Sequence, residues 1–228
     1  DVIDVGGEST RPGSQPVPPD EQIRRTQPVI AELAARLGPG GPAISIDTRS
    51  AEVAAAAIEA GATIINDISA LRDDPALAGL AAEHGCEVVL MHMKGTPADM
   101  QNNPTYDDVV AEVRAFLAER IDFAVAAGIP RERIIIDPGI GFGKTGQHNL
   151  TLLRRIAEFR TLGVPVLVGP SRKRFIGDLL GGAPPEQRDA GTAAVVAACV
   201  LAGVECLRVH NVGVCRQVAD VCRALRAS

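Results

Sequence analysis

The sequence predicts an α/β protein, and within that class a TIM-type (β/α)8 barrel, on three observations. Short runs rich in Val and Ile alternate from end to end with longer stretches of helical periodicity, the pattern of parallel strands joined by crossover helices. The runs are continuous in their apolar character, as expected of strands buried on both faces. Run after run then ends in polar side chains: Asp47, Asn66, His92, Asp137, Ser171 to Lys173, Arg208 and His210. A barrel gathers those carboxyl ends around one mouth, whereas a doubly wound sheet spreads them along an edge.

Taken in order, strands are expected at 1–5, 43–47, 62–66, 86–91, 133–137, 164–168 and 205–210. Helical stretches are expected at 20–37, 51–60, 75–84, 106–127, 147–158, 171–180 with 186–203, and 212–226. In 106–127, Val109, Val110, Val113, Phe116, Leu117, Ile121, Ala124 and Val125 recur at helical spacing and form one apolar stripe. Thr105 with Asp108 has the spacing of a capping box, with Asp in place of Glu, and Gly128 before Pro130 is a stop signal. Gly61 ends the stretch that begins after Ser50. Pro28, which lacks a backbone donor, is expected to kink 20–37. The count is seven strands against the eight that a barrel requires. One N-terminal βα unit is therefore expected to be missing from a chain that otherwise forms a single domain, 1–228.

Composition narrows the function. The chain has 228 residues, 46% of them apolar, and a net charge of −5. That suits an ordinary folded domain and disfavours a nucleic-acid surface. No uninterrupted apolar stretch of about 18 residues exists, so no membrane span is expected. Asp1-Val2-Ile3-Asp4 lacks the basic n-region of a signal peptide. The five cysteines form no CxxC pair and read as buried, reduced thiols of a cytoplasmic protein. His84, His92, His148 and His210 show no metal-ligand spacing.

The candidate chemistry sits at the strand ends. "GGESTRPGS" (6–14) follows the first strand and offers the Thr10 hydroxyl and the Arg11 cation beside Pro12, or is only a polar turn. Asp47, Asn66, Asp67 and Asp137 could each be a helix cap or a turn acceptor. Together, carboxylates that accept from adjacent N–H groups and an amide that both gives and accepts suit a flat heterocycle with an amidine-like edge. "DPGIGFGKTGQ" (137–147) is one residue short of a Walker P-loop and reads instead as a flexible loop presenting Phe142. In "GPSRKRF" (169–175) a strand hands over to a helix. Ser171, Arg172 and Lys173 stand at that helix start, where backbone N–H groups and the dipole favour an anion. "RVHNV" (208–212) places Arg208 and His210 on one face of the last strand, a pairing suited to clamping a diphosphate.

In this order the motifs DVGGESTRPG, SIDT, NDISA, LMHMKGTP, DPGIGFGK, GPSRKRF and RVHNV resemble the bacterial dihydropteroate synthases, from residue 1 to about 220. The resemblance implies a barrel that joins 6-hydroxymethyl-7,8-dihydropterin diphosphate to p-aminobenzoate and releases pyrophosphate. It implies that Asp47, Asn66, Asp137 and Lys173 line the pterin pocket. Arg208 would lie against the ring and hold the diphosphate with His210. Thr10, Arg11 and Pro12 would close over p-aminobenzoate, with Phe142, Ser171 and Lys173 completing that second pocket. Lys173, Arg208, His210 and Asp137 are the implied catalytic groups, Mg2+ the implied cofactor and sulfonamides the implied competitors.

Two departures from the family stand out. An Mg2+-binding Asn and an Asp-bearing mobile loop, which the family carries with its first strand, are not found, so weak or no turnover is expected of these residues alone. Asn211 stands where Asp is usual. The family's dimers imply a homodimer for the full-length protein, with 190–203 either a contact face or an ordinary barrel helix. A pterin-binding methyltransferase domain shares the pterin-edge groups. The SRK stretch and the STRPG loop favour the synthase, because a diphosphate and a benzoate need cations. A non-catalytic pterin-binding paralogue is the third reading.

Overall fold

The computed structural model describes residues 1–10 and 13–227. Strands and helices alternate along it: β1 (Val2–Gly6), α1 (Pro19–Leu37), β2 (Ala43–Asp47), α2 (Ala51–Glu59), β3 (Ile64–Asp67), α3 (Ala76–His84) and β4 (Glu87–Met91). Then follow α4 (Val109–Ala126), β5 (Ile134–Asp137), α5 (Gly146–Arg154), β6 (Leu167–Val168), α6 (Arg174–Leu179), α7 (Asp189–Leu201), β7 (Cys206–Leu207) and α8 (Val212–Ala227). β1 to β5 pair in sequence order, all parallel. A bridge between Ile136 and Val166 carries the series on to β6, which pairs in parallel with β7. Each strand thus passes through a helix to its immediate neighbour, the winding of a βα barrel.

Period-two alternation sorts the strand side chains onto two faces. On one, Ile44, Ile46, Ile65, Val88, Leu90, Ile134, Ile136, Val166 and Val168 join the main core under the helices. On the other, Ile64, Val89 and Leu167, with Ala43, Ile135 and Cys206, form a small cluster drawn from β2 through β7. Consecutive strands meet in so small a cluster when the sheet curls around it, as in the TIM-barrel architecture of the chain. Asp47, Asn66 and Asp137 have the same parity as this inner cluster. Arg208 and His210 have it too, just beyond β7. The inner face is therefore apolar in its middle and polar where the strands end.

Several boundaries differ from expectation, each for a local reason. α4 starts at Val109 because Asp108, not Thr105, is its cap; Asp108 Oδ1 accepts from the backbone N–H of Val110 at 2.9 Å and of Ala111 at 3.2 Å. A reciprocal capping box occurs instead at α5, between Thr145 and His148. The stretch 147–158 stops as an α-helix at Arg154 and continues as the 3-10 segment Ile156–Leu162. α1 runs undivided across Pro28, with Pro19 in its first turn, where a missing donor costs nothing. The strands expected at 164–168 and 205–210 are reduced to two residues each; Pro165 has no N–H to give to a ladder. Four of the free cysteines are buried, and Cys206 is half-buried on the inner face. No helix among the described residues is long and apolar enough to cross a membrane.

Candidate active site

Acids gather on one side of the mouth. The register sets Gly6 beside Asp47 and Asp47 beside Asn66. Asp4, two residues back in β1, shares their parity, and its Oδ2 accepts from Asn66 Nδ2 at 3.2 Å and from Arg208 Nε at 2.6 Å. Arg208 Nη2 also lies 3.5 Å from Asp47 Oδ2. One guanidinium, arriving from beyond β7, thus meets the carboxylates of β1 and β2. Asp4 Oδ1 is buried and makes no hydrogen bond in the structure, which leaves an acceptor for a ligand donor. Burial, and then the neighbouring Asp4, push Asp47 up to about 7, with Arg208 opposing. Asp137, 8% exposed, is likewise raised by burial and held down in turn by Lys173. Its Oδ1 accepts from the Gly139 N–H at 2.7 Å.

The three cations after β6 go three ways. Arg174 is exposed and 3.8 Å from Asp178. Arg172 turns to α7, where Nε and Nη2 reach the two oxygens of Asp189 at 2.7 and 3.1 Å. Its backbone N–H donates to Thr192 Oγ1 at 3.1 Å, and its carbonyl accepts from Arg188 Nη1 at 2.9 Å. These contacts hold Arg172 at φ 57°, a left-handed conformation that no α-helix contains. The helix expected from 171 accordingly starts at Arg174, with Lys173 as its cap. The Arg172 N–H, spent on Thr192, is thereby withdrawn from any anion at that helix start.

Only Lys173 of the three turns inward. Its Nζ donates to the Ile140 carbonyl and sits 4.2 Å from the centre of the Phe142 ring. Burial pulls Lys173 down to about 8; Asp137 opposes this and Arg208 adds to it. Ser171, 9% exposed, accepts from the His210 backbone N–H at 3.1 Å and lies 2.8 Å from His210 Nδ1. Asn211 donates to Asp189 at 2.9 Å and accepts from the Val214 N–H at 3.3 Å, so it caps α8 and braces the Arg172 anchor.

The loops around the mouth complete it. Thr10 is half-buried after β1, and Arg11 and Pro12 lie outside the described residues. Nearby, Gly13 donates to the Pro97 carbonyl at 3.4 Å, which brings the loop after β1 to the loop after β4. The loop expected to be flexible, around Phe142, is pinned. Gly141 N–H donates to Asn149 Oδ1 at 2.7 Å, Gln101 donates to the Gly141 carbonyl at 2.8 Å, and Tyr106 to the Gly143 carbonyl at 2.8 Å. Asp67 and His92 face away from the mouth. Asp67 accepts from the backbone N–H of Ser69 and Leu71 at 2.7 and 2.6 Å, and His92 packs edge-on against Phe116.

The pterin-binding enzyme family model matches residues 1–210. Over 217 residues the chain is 49% identical to the dihydropteroate synthase of Mycobacterium leprae (strain TN), covering 92% of this chain and 75% of that protein. The chain belongs to the dihydropteroate synthase family. Its backbone is similar to that of the Yersinia pestis dihydropteroate synthase solved as a sulfonamide drug complex, with TM-score 0.95, 40% identity, and coverage of 100% of this chain and 81% of that one. The Xanthomonas albilineans dihydropteroate synthase in complex with 7,8-dihydropteroate gives TM-score 0.89 and 44% identity over 100% of this chain and 82% of that one. Asp4 is the site residue that strand-end reasoning passes over. The signal was present: within "VIDVG" Asp4 has the same parity as Gly6, which sits opposite Asp47.

Proposed function

We propose that this mouth condenses 6-hydroxymethyl-7,8-dihydropterin diphosphate with p-aminobenzoate to 7,8-dihydropteroate and pyrophosphate, by a dissociative route. One observation carries the reading. Arg208, the cation suited to a departing diphosphate, lies 2.6 Å from Asp4, among acids suited to a pterin edge. The pyrimidine edge of a pterin presents adjacent ring N–H and amino donors. Asp137 would accept both, Asn66 would give and accept beside it, and Lys173 would donate to the ring oxygen.

The bond between the methylene carbon and the diphosphate oxygen then breaks, and its electron pair leaves with the diphosphate. Arg208, His210 and Ser171 meet the growing negative charge. The carbon becomes a cation conjugated with the ring and stabilised by the Asp4 carboxylate, to which Asp47 adds once ionised. The amine of p-aminobenzoate attacks it, a C–N bond forms, and the nitrogen's proton passes to water or to the released pyrophosphate. The chain contributes position and fixed charge, and the reaction needs no strong base. Thr10, Arg11, Pro12, Phe142, Ser171 and Lys173 would hold p-aminobenzoate, and sulfonamides would compete there.

The Mg2+ that the family implies does not fit a protein-built cage here. Among the described residues no three His, Cys, Asp or Glu side chains are grouped so as to hold a metal ion. Asp189, the carboxylate beside Asn211, is already shared between Arg172 and Asn211. No step above runs through a metal. For a homodimer, part of 190–203 is already spent: Thr192, Val196, Cys199 and Val200 are buried within the chain, and Leu201 is exposed. A second copy would meet the outer face of α7, which sedimentation tests.

Incubation with both substrates, read by mass spectrometry for dihydropteroate and by a coupled assay for pyrophosphate, tests the reaction. Equal formation of the two products is expected. Transfer of a methyl group from methyltetrahydrofolate, with no binding of p-aminobenzoate, would favour the methyltransferase instead.

A further inference from the structure

Lys144 is 3% exposed, yet it plays no part in the chemistry above. Its Nζ lies 2.9 Å from His92 Nδ1, 2.9 Å from the Phe142 carbonyl and 3.4 Å from the His92 carbonyl. The lysine head thus meets two carbonyl acceptors and a ring nitrogen. Two of them belong to the residue that follows β4, and one to the loop that follows β5. One side chain therefore ties the two segments together from beneath.

The segments meet too closely for ordinary packing to do the same work. Gly139 has φ 68°, and a Cβ there would fall 1.9 Å from the His92 carbonyl oxygen. Gly143 has φ 62°, and a Cβ there would fall 2.4 Å from the Lys94 carbonyl oxygen. Backbone rests on backbone, with Lys144 filling the space behind. A buried amine is costly, and an apolar side chain of similar length would fill that space at lower cost. Burial indeed pulls Lys144 well below the usual lysine range, with Asp137 opposing. The residue it grips, Phe142, is half-buried against Met91, Met93 and Met100 with its ring beneath Lys173.

We propose that Lys144 is a positioning residue: it fixes the 139–143 turn on the end of β4 and so sets the Phe142 ring as a wall of the arylamine subsite. This rests on the proposed reaction only in taking Phe142 to face p-aminobenzoate.

Equilibrium dialysis separates the two ideas, using the pterin alone as one ligand and p-aminobenzoate with inorganic pyrophosphate as the other. Lys144→Met should weaken p-aminobenzoate roughly tenfold, mid-range for groups in one hydrogen-bond network, while pterin affinity stays within about twofold. In a Phe142→Ala background the same substitution should add nothing. Equal weakening of both ligands, or effects of the two substitutions that simply multiply, would overturn the proposal.

Tyr106, the single tyrosine of a chain without tryptophan, donates to the Gly143 carbonyl and so reports on the turn without any ligand. Its emission should change in folded Lys144→Met, and an unchanged spectrum would overturn the positioning role. Should that variant fail to fold, Lys144→Gln, which keeps two donors, is read in the same way. A wild-type chain that binds neither ligand rejects the reaction, and Tyr106 emission then decides the role of Lys144 alone.

Discussion

The acid half and the cation half of the mouth are held in place by different means. Asp4, Asp47, Asn66 and Asp137 stand on strands of the five-stranded sheet, and ladder register aims them. Ser171, Lys173, Arg208 and His210 follow two-residue strands, so register does little for them. α7 does that work from the side, through Asp189 and Thr192 on Arg172, with Arg188 just before the helix. The difference locates fragility. The acid half is as robust as the sheet, whereas the cation half can be disturbed by residues that never face a ligand.

The sharpest way to break this comparison is to remove a ligand-facing group from each half. Asp137→Asn keeps the shape but replaces an acceptor with a donor, so steady-state kcat/KM should fall by roughly 100-fold, as charged hydrogen bonds of about 1.5–3 kcal/mol are lost. Arg208→Met should cost roughly tenfold to 100-fold in kcat, the range for one preorganised charge at a leaving group. It also leaves Asp4 and Asp47 side by side without their shared cation, so the apparent pKa for pterin binding should rise; titration of affinity against pH checks this.

Asp189→Asn tests the indirect support. It should weaken pyrophosphate binding roughly tenfold and lower stability slightly, with affinity for the pterin alone unchanged, because a bidentate but part-exposed ion pair is lost. Calorimetry for binding and urea denaturation for stability give both numbers. Loss of pterin affinity in the same variant would show that the halves are not separately supported.

A pH effect comes from the acid half alone. Asp47 is raised from its ordinary value of 3.8 to about 7, so the folded chain holds a proton that the unfolded chain releases. Stability from this group is present at low pH and is lost as pH rises through that window. Asp47→Asn should therefore gain on the wild type between about pH 4 and about pH 7 in denaturation midpoints. Its pterin affinity should fall in the same experiment series.

The fold was legible because buried parallel strands must be continuously apolar, and the Val- and Ile-rich runs mark them even where the ladders proved short. Asp47, Asn66 and Asp137 were legible because each closes such a run. Asp4 was not, since it lies inside a strand and declares itself only through parity with Asp47 across the register. Arg172 was misjudged for another reason: its partners Asp189 and Thr192 lie beyond a separate helix, and nothing local predicts a left-handed arginine. The pinning of the Phe142 loop was hidden likewise, because Lys144, Gln101 and Asn149 come from three different segments.

Calorimetric titration of the pterin alone and of inorganic pyrophosphate, each into wild type, Asp137→Asn and Arg208→Met, addresses the two-sided mouth most directly. Asp137→Asn should weaken the pterin roughly 100-fold and spare pyrophosphate, and Arg208→Met should weaken pyrophosphate more than it weakens the pterin. Loss of both ligands to the same extent in either variant would contradict a site divided into an acid half and a cation half.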